Sequence, residues 1–149
     1  MTLLLIGLGN LQRGDDGVGI AVVRRVAEIA EIEVVESDDP ASLIDTWSEA
    51  ARVVVVDAMK SDGSPGTVLT LDVTESPLPS DGWAKGGTHS LGLAAAVELS
   101  RALGRLPQRL VVVGIEVDGL IAGSELSPAV RAAVQRAADA ALRALTDET

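Results

Sequence analysis

The chain contains no cysteine, which removes disulfides, thiolate zinc sites and cysteine nucleophiles from consideration. Histidine occurs once, at His89. The stretch "THSLG" resembles a nucleophile elbow around Ser90, but that turn needs a strand just before the serine and a separate histidine as base. Thr88 stands where the first glycine belongs, and no second imidazole exists to activate Ser90 or Ser127. A serine hydrolase is therefore excluded. Aromatic residues make up 1% of the chain against a hydrophobic fraction of 47%, with Trp47 and Trp83 but no Phe or Tyr. The core must be built from Val, Leu, Ile and Ala, which suits buried parallel strands covered by helices. Basic residues are also scarce, 12 against 22 acidic, for a net charge of -10. That field repels nucleic acid and anionic membrane, so neither is expected as a partner. The opening "MTLLLIGLGN" lacks a basic leader, and its apolar run is too short for a signal peptide or a span. The expectation is a cytoplasmic protein, and with so few aromatic residues to form a sticky surface, a monomer.

What is present alternates between strand and helix patterns at short intervals. "TLLLIG" is an apolar run of strand length, followed by a Gly/Asp turn and then by "VGIAVVRRVAEIA", apolar at helical spacing. "IEVVES" reads as a second strand, "ASLIDTWSEAA" as a helix and "RVVVVDAM" as a buried third strand. "GTVLTLDV" alternates more strongly and is expected near an edge, with antiparallel pairing open to it. A loop from Thr74 to Gly87 leads into the helix "GGTHSLGLAAAVELSRALGRLP", then the fifth strand "QRLVVVGIEV". The last helix starts at Ser127 as N-cap with Pro128 in its first position. The pattern predicts one α/β domain over residues 1–149: a mostly parallel, twisted five-stranded sheet with helices on both faces. Right-handed crossovers bring the strand-to-helix loops to one edge, where such folds bind ligands.

The turn "GLGNLQRGDDGVG" invites a dinucleotide reading. The fingerprint requires its third glycine where helix and strand touch, at a position held here by Gln12. Glu36 could imitate the ribose-binding acid, but Asp15 and Asp16 would stand close to the phosphates, a costly juxtaposition without a cation. A second reading is a metal or polar site at the shared edge. Asp16 follows strand one, Asp57 ends "VVVVD", and His89 opens a helix. Two carboxylates and an imidazole suit a borderline divalent ion with water completing its shell. Each residue also has an ordinary structural role open to it: Asp15 or Asp16 as a helix cap, Asp57 as an acceptor of backbone bonds, His89 as a surface residue.

Taken together, "LLIGLGNLQRGDDGVG", "VVVVDAM", "PGTVLTLD", "GTHSLGL", "VVVGIEV" and "LSPAV" resemble the hydrogenase maturation endopeptidases in order and spacing across nearly the whole chain. The resemblance implies an endopeptidase that trims the C-terminal extension of a nickel-iron hydrogenase large-subunit precursor. It further implies that Asp16, Asp57 and His89 hold the metal and carry catalysis. Nickel would arrive with the substrate, and another divalent ion can occupy the site in vitro. Many members have a Gly-rich loop after the second strand that takes part in substrate recognition. Here that loop is "ESDDPAS", with Ser37, Asp38, Asp39 and Pro40 as the corresponding substrate loop, and the frequent proline after "GIE" is Val117. A different class of answer is a non-catalytic accessory factor that binds the nickel-bearing precursor. A third is a small-molecule-binding domain of the same architecture.

Overall fold

The computed structural model describes residues 2–79, 88–118 and 125–147, with the side chains of 88–91 outside the description. Its strands are β1 (Leu3–Leu8), β2 (Glu33–Ser37), β3 (Arg52–Met59), β4 (Val68–Asp72) and β5 (Arg109–Glu116). Its helices are α1 (Val18–Ile29), α2 (Leu43–Trp47), α3 (Thr88–Ala102) and α4 (Pro128–Thr146), with 3-10 turns at Gly14–Gly17 and Pro40–Ser42. The second helix is shorter than its sequence pattern, because Pro40 opens a 3-10 turn that Asp39 caps through Ala41 N–H at 3.1 Å.

The five strands form one sheet in the order β2-β1-β3-β5-β4. All neighbours are parallel except β4, which pairs antiparallel with β5 at an edge. The continuous valines of β3 follow from this position. Val54 and Val56 face α1 and α4, while Val53 and Val55 face α2 and α3. Both faces are covered, so neither tolerates a polar side chain without a reason. β4 lies outside this double cover, and its residues are partly or fully exposed.

The scarcity of aromatics is met in two ways. α4 presents Ala133, Ala137, Ala141 and Ala144 to α1 and the sheet, and these small side chains allow close approach. On the other face Trp47 is fully buried, and its indole N–H donates to the buried Ser100 hydroxyl at 2.8 Å, which removes the penalty of an unpaired donor. Trp83 lies outside the described residues. No helix among the described residues is long and apolar enough to cross a membrane.

β1 sits between β2 and β3, and its connection leaves by α1 on one face while the chain beyond β3 reaches α3 on the other. The crevice at the C-terminal ends of β1 and β3 is thus the topological switch point of the sheet, where open α/β folds take their ligands.

Candidate functional site

The glycines after β1 set the shape of this edge. Gly9 has φ of +150°, a conformation that L side chains rarely adopt, and a methyl there would overlap the carbonyl oxygen of Asp16. The turn doubles back so tightly that Asn10 N–H donates to that same carbonyl at 3.2 Å. The helix–strand contact that Gln12 could not provide is made by Gly19. A methyl on Gly19 would stand 2.6 Å from the Leu8 carbonyl oxygen and closer still to that of Val56. The crossing of α1 over β1 and β3 therefore rests on a glycine well beyond the dinucleotide spacing. The tight turn ends in buried acid, opposite to what a phosphate cradle requires.

The two aspartates of the turn have separate surroundings. Asp15 turns toward the last helix, where its Oδ1 accepts the Ser127 N–H at 2.7 Å and its Oδ2 accepts the Ser127 hydroxyl at 2.8 Å. Ser127 is the N-cap residue of α4 but makes no side-chain cap bond of its own. Asp15 thus supplies negative charge at the N-terminus of a long helix and ties the turn to it. The N-cap position of α1 is Gly17. Asp15→Ala is expected to cost about 2–3 kcal/mol, since two charge-assisted bonds are lost and a part-buried N–H is stranded. Urea unfolding measures it, and an unchanged midpoint would show that the tie contributes nothing.

Asp16, only 1% exposed, stands in the Gly14–Gly17 turn, which packs against β3. Asp57 is fully buried near the end of β3, with its Oδ1 accepting the Ala58 N–H at 2.8 Å. Its partner across the ladder to β5 is Gly114, which puts no side chain beside the carboxylate. His89 is in the first turn of α3, and its imidazole lies outside the described side chains. Among the described residues no group of three His, Asp or Glu could hold a metal ion.

The Ser37–Pro40 loop leaves β2 at the same edge. Ser37 and Asp39 are engaged within it: the Asp39 N–H donates to Ser37 Oγ at 3.0 Å, and the Ser42 hydroxyl donates to the Asp39 carbonyl at 2.8 Å. Pro40 packs against α3 at Gly92, where an added methyl would lie 3.1 Å from its ring. The loop therefore touches α3 one turn beyond His89. Asp38 lines a cleft of about 480 Å³ together with Gly9, Asn10, Leu11, Gln12 and Glu36. On the far side of Pro40 an apolar hollow of about 300 Å³ is lined by Ile44, Ala96 and Leu99.

Glu36 is not poised for a ribose. Its carboxylate takes both Arg24 Nε and Nη2, at 2.8 and 2.9 Å. The hydrogen bond from Arg24 holds its pKa below the usual carboxylate value. The stability this pair contributes is present above the ordinary glutamate range and is lost as pH falls through the lowered value.

The model of the hydrogenase maturation protease family matches residues 22–144. The chain belongs to the hydrogenase maturation proteases. The Hydrogenase 2 maturation protease of Escherichia coli is 26% identical over 153 residues, covering 99% of this chain and 92% of that protein. A solved hydrogenase maturating endopeptidase, HybD of E. coli, superposes with a TM-score of 0.80 over 97% of this chain and 92% of its own, at 24% identity, a likeness of fold. The [NiFe] hydrogenase maturation protease HybD of Thermococcus kodakarensis reaches a TM-score of 0.74 at 27% identity, over 98% of this chain and all of that one (100%). The family assignment agrees with the resemblance read from the motifs, and with the sheet described above.

Two residues of this protease edge escaped the sequence reading. Gly114 is one, because its value lies in what stands opposite. Glu116 is the other: it is fully buried at the end of β5. The signal was available in "VVVGIE", an apolar run ending in a carboxylate just as "VVVVD" does.

Proposed function

We propose that this chain cuts the C-terminal extension from a nickel-loaded large-subunit precursor of a nickel-iron hydrogenase. Asp16, Asp57 and His89 complete the coordination of the nickel that the precursor carries. The observation that carries this reading is the pair of buried carboxylates, Asp16 and Asp57, on neighbouring elements at the switch point of the sheet. Carboxylate oxygens and an imidazole nitrogen form a donor set suited to a borderline divalent ion, so the residues present fit such a cargo. Nickel held there would polarise the adjacent peptide carbonyl or activate a water.

The chain's own contribution is rigidity and charge. The Ala58 N–H fixes one oxygen of Asp57. Asp15, tied to Ser127, holds the turn that bears Asp16. Two close buried acids must either keep a proton or be joined by a cation, and a precursor already loaded with metal supplies the cation that an empty one lacks. The Ser37–Pro40 loop receives the precursor surface. Asp38 faces the polar cleft on one side, and Pro40 borders the apolar hollow on the other.

The test is the intact mass of a nickel-loaded precursor incubated with the native protein and with His89→Ala. The expected result is one C-terminal loss with the native protein only, and none from precursor lacking nickel. An uncut precursor that co-purifies with the protein would replace this reading with that of a non-catalytic accessory factor.

A further inference from the structure

Glu116 has no exposed surface, a property it shares with Asp57 among the acids of the described residues. The two stand on adjacent strands and on the same face of the sheet: Asp57 is paired with Gly114, and Glu116 with Met59, two residues further along. Burying a carboxylate costs several kcal/mol unless hydrogen bonds replace its water. Among the described residues the replacement comes from one residue. The Ser61 N–H donates to Glu116 Oε2 at 2.8 Å, and the Ser61 hydroxyl donates to Oε1.

The rest of the turn after β3 is wrapped around the same acid. The Gly66 N–H donates to the Glu116 carbonyl at 2.8 Å, and the Glu116 N–H donates to the Thr67 carbonyl at 2.8 Å. A methyl on Gly63 would lie 3.2 Å from Oε1. Within the turn Asp62 takes a left-handed φ of 66°, which aspartate adopts more readily than other residues with a side chain. Side chain and main chain of one residue thus clip both ends of the 60–67 segment. That segment follows directly on the strand bearing Asp57, at the C-terminal end of β3.

We propose that Glu116 is a positioning residue for peptide cleavage, acting through Ser61 to hold the 60–67 turn against the site. This rests on the endopeptidase reading above. An apolar side chain could fill the same volume without the cost of burying a charge. What it could not do is hold two donors of Ser61 in fixed directions. The role assigned to Glu116 is therefore geometric and is not a contact with the scissile bond.

The experiment compares the native protein with Glu116→Gln, Ser61→Ala and Ser61→Thr. It reads kcat and KM for nickel-loaded precursor by mass, and amide hydrogen exchange across residues 60–67. Glu116→Gln and Ser61→Ala should each lower kcat about tenfold with KM within about twofold, and speed exchange in the turn. Ser61→Thr keeps both donors and should restore both readings. If exchange quickens but kcat does not change, Glu116 is only a structural fastener and the proposal falls. If exchange in Glu116→Gln is unchanged, the clip itself is refuted. A native protein that leaves the loaded precursor intact would defeat the endopeptidase reading first, and the role of Glu116 with it.

Discussion

Asp57→Asn is expected to reduce precursor cleavage by about 10³-fold, the range lost when one preorganised electrostatic group is removed from a reaction site. The amide has the size of the carboxylate, and its oxygen can still accept the Ala58 N–H that Asp57 accepts at 2.8 Å. Gly114, its partner on β5, presents no side chain to clash with the new NH2. What disappears is one unit of negative charge at a fully buried position. The melting temperature should accordingly stay within a few degrees of the native protein's. A structural aspartate would instead leave cleavage near native, because the amide keeps both the size and the acceptor for the Ala58 N–H. Measuring both quantities on one preparation decides between a residue that works and one that only supports. Retained cleavage at near-native kcat would remove Asp57 from the mechanism.

Gly19→Ala should be strongly destabilising, although it adds a single methyl. The added carbon would stand 2.6 Å from the Leu8 carbonyl oxygen and nearer still to that of Val56. Both neighbours are backbone atoms of central strands, so neither can swing away as the end of a side chain would. The helix must lift from the sheet, losing contacts of Val18, Val22 and Val23 with β1 and β3. A cost of about 3 kcal/mol or more follows, in the upper range for overpacking, or about 6–12 °C in melting temperature for a domain of this size. Gly104 supplies the control. It has φ of +68° with nothing within 4 Å of an added methyl, so Gly104→Ala should cost only the left-handed backbone penalty of about 1–2 kcal/mol. Equal losses at the two positions would show that close packing is not what Gly19 provides. Because Val56 immediately precedes Asp57, displacement of α1 should also lower cleavage at temperatures where the variant remains folded.

Much of the fold was legible before any coordinates. The unbroken valines of β3 imply a strand covered on both faces, and the alternation in "GTVLTLDV" implies an edge, which is where β4 pairs antiparallel. Strand–helix alternation with a fixed crossover hand brings the β1 and β3 loops to one edge, so the neighbourhood of Asp16 and Asp57 could be expected from order alone. The motifs carried the family as well. These are properties of periodicity and short-range order, and they survive in a one-dimensional reading.

Contacts between residues far apart in the chain had no such signal. The pair Asp15-Asp16 is symmetric in the sequence. It takes Ser127, distant along the chain, to draw one carboxylate toward α4. Gly19 reads as an ordinary helix residue until β1 and β3 press their carbonyls against it. The Ser37–Pro40 segment reads as a substrate loop throughout, and only the fold shows that Ser37 and Asp39 also hold its shape while Ser37 and Asp38 line the cleft. Glu116 becomes the clip of the 60–67 turn only because β5 lies beside β3. Local periodicity and chain connectivity were enough to say which elements form and which edge they open toward. Which polar groups are tied to one another emerges only in the folded chain, because such a hydrogen bond depends on where two distant segments meet.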